Sequence, residues 1–376
     1  MKKLATLLLA ALLVFTTACA PANTASSSLP ASQEVSSAPS GENAPGGALD
    51  IPDPEPLPQC VTPPERVTLR VAALKGPSAI GMLNLMERQA LSQKDETAPT
   101  LANDYQFTLA GAPDQVAGGV IKGEYDIAVL PTNLAATVYN KTQGQISLAT
   151  INTLGVLYLV ENQAASAIKT PADLKGKTIY ATGKGTTPEY VLNYVLEKND
   201  LKVGQDVQVE YKTEHTELAT LLAAGQADIA LLPQPFVTTA MAQNDQLRVA
   251  LDMTQEWEKV SPAGSTLAMS GIVVQKKLLE ENPVAVASFM AEYRASTQFA
   301  TDPATLDAVS QLAEQYEIIP KAAVAKKAIP QCSITYLDGQ EMQAAAQGFL
   351  EVLFAANPQA VGGKLPDADF YYIPGN

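Results

Sequence analysis

The chemistry open to this chain is narrow, because its 376 residues hold one histidine, three cysteines and one tryptophan. His215 follows Glu214 and precedes Glu217, an acidic setting expected to raise its pKa and leave it solvated. No serine or cysteine motif of nucleophile type accompanies it, and a zinc site would need further His or Cys ligands at close spacing. Gly183-Lys184-Gly185-Thr186 lacks the Gly-x-x-x-x-Gly-Lys spacing of a phosphate-binding P-loop. No catalytic residue, metal or cofactor is therefore expected, and a site made of carboxylates alone stays open.

What the residues suit better is non-covalent capture. In α/β sheets ligands bind beyond the carboxyl ends of the strands, where helix starts expose backbone N–H groups. After the first strand that rule selects Lys75, Gly76, Pro77 and Ser78. After the next strands it selects Gly111 with Ala112, then Thr132 and Asn133. Further along it selects Thr182, Gly183, Gly185, Thr186 and Thr187, the stretch around His215 and Thr216, and Gln234 with Phe236. Two glycines let the backbone of 183–188 approach a ligand, and Thr186 or Thr187 can cap the helix that Pro188 opens. An ordinary capped helix start is the alternative. Lys75 pairs with an anionic solute, pairs with an acid of a facing lobe, or is simply solvated. Asn133 offers donor and acceptor at a helix start, or caps it. Asn152 and Thr153 reach a ligand at a hinge or serve only as turn formers. Phe236 and Trp257 are either an aromatic wall or core. Asp126 and Asp228 lie at the wrong end of the sheet for a ligand and are expected to fix the loops before their strands.

The elements that position these residues follow from a near-repeat. Gly123-Glu-Tyr-Asp-Ile-Ala-Val-Leu-Pro131 matches Gly225-Gln-Ala-Asp-Ile-Ala-Leu-Leu-Pro233. Each copy follows an amphipathic stretch (113–122; 216–224) and leads into another (133–140; 234–244), so it reads helix, glycine stop, buried strand, proline, helix. Four consecutive apolar residues suit a parallel strand covered on both faces. Two copies at domain spacing indicate two similar α/β lobes; independent units in one larger sheet are the alternative. Other strands are expected at 67–73, 105–109, 146–151, 178–181, 207–211 and 247–251. Apolar segments 155–161 and 267–275 are natural crossings between lobes, and helices are expected at 283–301, 303–316, 321–328 and 339–356.

The amino terminus is a processing segment. Lys2 and Lys3 precede an apolar run over 4–15, too short to span a bilayer, and Thr16-Thr17-Ala18 then leads to Cys19. Residues 20–58, rich in Ala, Ser, Pro, Gly and Asn, cannot offset the entropy of ordering and would reach about 35 Å as a random coil. The remainder is long enough for two domains, and 47% hydrophobic residues supply a core. A net charge of −14 argues against nucleic acid as a partner. With Cys19 set aside, Cys60 and Cys332 are left as a possible disulfide or as two thiols.

The small residues before Cys19 resemble a bacterial lipobox, although Thr16 departs from the usual leucine. Together with the tether, the strand running into Leu74-Lys75-Gly76-Pro77 and the duplicated Asp-Ile-Ala units, they resemble the periplasmic-binding-protein-like type II fold. Within it the chain is most similar to the NMT1/THI5-like group, whose members bind nitrate, taurine, aliphatic sulfonates and thiamine-pyrimidine precursors. The segments Pro171-Ala-Asp-Leu-Lys-Gly-Lys-Thr178 and Gly183-Lys-Gly-Thr-Thr-Pro-Glu-Tyr190 carry the likeness most specifically. The resemblance implies an α/β protein of two Rossmann-like lobes joined by two crossover strands, with a helical C-terminal tail. It implies a signal peptide at 1–18, a tether at 19–59, a first lobe from 60–157 and 268–376, and a second from 158–267. It further implies a monomeric solute-binding subunit of an ABC importer, working with permease and ATPase subunits and anchored extracytoplasmically by lipid on Cys19. The expected solute is a small anion or a pyrimidine-like heterocycle. The same fold carries small-molecule biosynthetic enzymes, from which the export signal separates this chain.

Overall fold

The structure, a computed structural model, describes residues 65–94, 100–163 and 167–374, all within one compact unit spanning 49–376. The expected signal peptide and tether, with Cys19 and Cys60, lie outside the described residues.

The chain first forms β1 (Thr68–Leu74), α1 (Pro77–Ile80), α2 (Leu83–Ser92), β2 (Asp104–Ala110), α3 (Pro113–Lys122), β3 (Ile127–Pro131), α4 (Thr132–Lys141) and β4 (Ile146–Thr153). It crosses through 154–156 into β5 (Leu157–Asn162), β6 (Thr178–Thr182), α5 (Thr187–Lys198), β7 (Gln208–Lys212), α6 (His215–Ala223), β8 (Ile229–Pro233), α7 (Phe236–Met241), β9 (Leu247–Asp252) and α8 (Met253–Val260). It returns through 261–269 to β10 (Ser270–Gln275), α9 (Lys276–Glu281), α10 (Pro283–Thr301), α11 (Leu306–Gln315), α12 (Ala322–Ala328), β11 (Ile334–Leu337) and α13 (Gly339–Ala356). Two separate sheets result, ordered β11-β4-β10-β3-β1-β2 and β7-β6-β8-β5-β9, which removes the alternative of one larger sheet.

The two repeat units fold alike. Gly123 (φ 71°) and Gly225 (φ 69°) end their helices in the left-handed region that suits glycine, and β3 and β8 are buried at every residue. Each repeat strand pairs in parallel with one neighbour, β1 or β6, and antiparallel with the strand that has just crossed, β10 or β5. The sheets are therefore mixed rather than purely parallel. A crossing chain enters its new lobe at the carboxyl end of the repeat strand and must run back along it.

Apolar side chains fill both faces of each sheet. One cluster runs from the first lobe into the second, where Trp257 on α8 packs its ring 5.5 Å from that of Phe349 on α13. Trp257 is fully buried, which settles it as core. Asp126 does fix the loop before its strand: its carboxylate accepts from Arg70 N (2.8 Å), Nε (2.9 Å) and Nη2 (2.6 Å).

Three features differ from the sequence reading. The stretch 303–316 opens with a 3₁₀ turn, because Asp302 accepts from Ala304 N at 2.8 Å. Strand β11 and helix α8 were not anticipated. Cys332, for which disulfide and thiol both stood open, is fully buried with Sγ donating to Ala328 O at 3.3 Å, and burial pushes that thiol's pKa up. Its suggested partner Cys60 is outside the described residues.

Replacing Asp126 with alanine leaves the Arg70 backbone N–H without its acceptor. Asp126→Ala is expected to lower unfolding stability by about 1–2 kcal/mol, read from urea midpoints, with far-UV circular dichroism unchanged.

Candidate functional site

The carboxyl ends of β1 and β3 in one sheet face those of β6 and β8 in the other. Between them lies a cavity of about 80 Å³. Its lobe-1 wall is Leu74, Lys75, Gly76, Pro77, Ser78, Pro113 and Pro131. Its lobe-2 wall is Leu157, Gly183, Thr186, Pro188, His215, Pro233 and Phe236. Thr153, Val156, Met269 and Ser270 close it where the chain crosses. Of the residues selected from sequence, the structure brings Lys75, Gly76, Pro77, Ser78, Thr153, Gly183, Thr186 and Phe236 to this cavity.

Gly76 sits at φ 149°, ψ −157°, a region open essentially to glycine alone. A Cβ there would stand 3.9 Å from Phe236 Cε2, so the phenyl ring of one lobe reaches the backbone of the other. Phe236 itself is 6% exposed.

His215 corrects its sequence reading. It is half-buried rather than solvated, its Nδ1 lies 2.5 Å from Thr182 Oγ1, and its ring centroid is 5.0 Å from that of Phe236. Loss of water pushes its pKa down to about 4, so it is neutral at physiological pH. The flanking carboxylates do not offset this: Glu214 and Glu217 are exposed, and the Glu214 carboxyl lies against Gly111 across the cleft, about 3.0 Å from where a Cβ there would be.

The remaining selected residues support the wall instead of lining it. Asn133 is fully buried, and its Nδ2 donates to Ala360 O (2.9 Å) and to Gly185 O of the other lobe (3.3 Å). Its Oδ1 accepts from Thr187 Oγ1 at 3.0 Å. Gln234 Nε2 likewise reaches Gln331 Oε1 at 3.0 Å, while its Oε1 accepts from Thr238 N and Oγ1. Asn152 stands behind Ser270, accepting its hydroxyl at 2.8 Å. Thr182 stands behind His215. Thr132 is buried, its N–H donating to Met269 O at 3.1 Å.

The threonine cap expected for α5 does not form. Thr186 occupies the N-cap position, but its Oγ1 donates back to Gly183 O at 2.6 Å, and Thr187 turns its hydroxyl to the other lobe. Glu189 bonds Gly185 N at 2.5 Å instead.

Sequence reasoning missed Ser270, Met269, Val156 and Pro113. Ser270 had a signal available: β10 pairs antiparallel to β3 with Ser270 opposite Pro131, so the first residue of the returning strand must face the end of the repeat strand. Among the described residues no group of three or more His, Cys, Asp or Glu side chains could hold a metal, and no helix is long and apolar enough to cross a membrane.

A family profile described as NMT1/THI5 like matches residues 113–305, which contain both repeat strands, both crossings and the whole second sheet. The chain belongs to the NMT1/THI5-like family. An ABC transporter structure from Parabacteroides distasonis is 30% identical over 82% of this chain and 99% of its own, with a TM-score of 0.63. The periplasmic aliphatic sulphonate binding protein of Escherichia coli shares the fold at 19% identity, covering 81% and 96% of the two chains (TM-score 0.63). The periplasmic nitrate-binding protein of Synechocystis PCC 6803 does so at 12% identity, covering 79% and 84% (TM-score 0.58). No curated protein sequence matches the chain. The two-sheet architecture of this family member is thus that of type II periplasmic binding proteins.

The neutral state of His215 has a consequence for stability. Its folded pKa, about 4, lies below the ordinary 6.5, so between those values the unfolded chain binds more protons than the native one. Stability from this group is present above about pH 6.5 and is lost as pH falls toward 4. In urea titrations over that range, His215→Gln is expected to lose less stability than the parent; parallel profiles would show that His215 is not the group responsible.

Proposed function

We propose that this chain is the extracytoplasmic substrate-binding subunit of a bacterial ABC importer. It captures a small organic solute between its lobes, performs no chemistry on it, and hands it to a permease driven by ATPase subunits. The observation that carries this reading is the cavity itself, walled by strand-end loops of two sheets that are linked by crossing chains. The Parabacteroides distasonis relative, named an ABC transporter, supports the transport role. The sulphonate-binding and nitrate-binding proteins of the same fold support capture of a small solute. On this reading residues 1–18 are a signal peptide, lipid on Cys19 anchors a monomer through the 19–59 tether, and 60–157 with 268–376 form the lobe that joins 158–267.

The mechanism is closure about the crossings. Contacts that exist only when the lobes meet, from Asn133 to Gly185 and Thr187 and from Gln234 to Gln331, favour the closed state. Each such hydrogen bond nets about 0.5–1.5 kcal/mol, so together they contribute a few kcal/mol toward closure. Solute adds the rest by binding the closed state more tightly than the open one.

Three measurements test this. A thermal-shift screen across small solutes should find selective stabilisation, since a ligand that binds the native state raises its melting temperature by mass action. For the best binder, Thr187→Val, which lies outside the cavity wall, is expected to weaken affinity about tenfold by removing a cross-lobe hydrogen bond. An unchanged dissociation constant would mean that closure is not coupled to capture. Mass spectrometry of the membrane-extracted chain should find the lipid on Cys19.

A further inference from the structure

We propose that the cleft takes a small planar aromatic or heteroaromatic ring bearing one negative charge, a ring carboxylate being the type case. This rests on the cleft being the solute site.

Size sets the first limit. At about 80 Å³ the cavity is well below the roughly 300–1,000 Å³ of ordinary ligand pockets. The solute is therefore small.

Wall chemistry sets the second. Pro77, Pro113, Pro131, Pro188 and Pro233 all line the cavity. Pro77, Pro113 and Pro188 occupy the first turns of their helices, and Pro131 and Pro233 end the repeat strands. Each removes a backbone N–H at a place where helix starts and strand ends ordinarily offer one to an oxyanion, and leaves a rigid apolar surface. The hydroxyls do not replace those donors. Ser78 donates to Leu74 O (3.2 Å), Thr186 to Gly183 O (2.6 Å) and Ser270 to Asn152 Oδ1 (2.8 Å), so each presents lone pairs to the cavity. A compact anion with acceptor oxygens all round finds few donors here.

Aromatic surface and charge set the third. The rings of Phe236 and His215 meet at 5.0 Å with 37° between their planes, placing two tilted aromatic faces side by side on the second lobe, against either of which a ring can pack. Lys75 is the cation of the lining and makes no ion pair among the described residues, whereas His215 is uncharged. One cation and an apolar slot call for a ring with a single negative group.

Calorimetry on the full chain with benzoate, benzamide, cyclohexanecarboxylate, methanesulfonate and nitrate tests the inference. Benzoate is expected to bind at least tenfold tighter than benzamide, methanesulfonate and nitrate, and about two- to tenfold tighter than cyclohexanecarboxylate. Lys75→Met should bring benzoate and benzamide within about twofold of each other, and Phe236→Leu should do the same for benzoate and cyclohexanecarboxylate. Lys75 is half-exposed, so its variant keeps the test readable if Phe236→Leu fails to fold. Methanesulfonate or nitrate binding as tightly as benzoate, with loss in Lys75→Met, overturns the ring and leaves the cleft as the solute site. Failure of benzoate to bind the parent protein also overturns the ring, while the wider solute screen decides the function. Benzoate affinity indifferent to both substitutions places binding outside the cleft and overturns both readings.

Discussion

The structure depends on one pairing constraint, stated twice. Each chain crossing delivers a strand antiparallel to the repeat strand of its new lobe: Leu157 opposite Pro233 at one crossing, Ser270 opposite Pro131 at the other. An antiparallel partner begins where its neighbour ends. Both crossings are therefore pinned to the carboxyl ends of β3 and β8, the ends where α/β sheets expose their helix starts. The cleft and the links between lobes cannot be separated, because the same four residues both anchor the crossings and line the cavity.

That arrangement determines what holds the lobes together elsewhere. The apolar cluster joining Trp257 to Phe349 is continuous across the boundary, so it tolerates rotation but opposes separation. Beside the crossings the contacts are polar, sparse and buried, Asn133 with Thr187 and Gln234 with Gln331. On the proposed reading, closure makes and breaks these few bonds about the packed cluster.

Much of the fold was legible because the repeat is a backbone device. A glycine at positive φ, a short run of apolar residues and a proline each carry their geometry in their chemistry, and Gly123 and Gly225 have the conformation their type implies. Elements without such markers were missed. Strand β11 is four half-buried residues on a sheet edge, with no alternation to betray it. Helix α8 starts without a break after β9, Asp252 ending the strand and accepting from Thr254 N to cap the helix. At the site, the loops were legible and the side-chain directions were not. His215 follows an acid in sequence, yet its ring turns into the cleft while Glu214 turns across it. Asn133 carries donor and acceptor as expected, but spends both on protein groups. A sequence gives the register of a strand end, and only packing decides whether a side chain there meets solute or the opposite lobe.

The first crossing is held from both sides. Gly155 lies in the first crossing, and a Cβ there would collide with Thr254 Oγ1 at the start of α8. Its carbonyl accepts from Ser333 Oγ at 2.7 Å, and Leu154 N donates to Ser333 O at 3.1 Å. Ser333 reaches both from just before β11 with φ at 47°, an uncommon conformation for a residue with a side chain. The crossing is thus gripped from the second lobe by close approach and from the C-terminal segment by hydrogen bonds. Such a joint bends at few residues, since neither grip leaves room for a side chain at 155 or freedom at 154. On the proposed closure mechanism a hinge that narrow would turn the lobes as rigid bodies, and a wall of prolines and one phenyl ring would keep its shape.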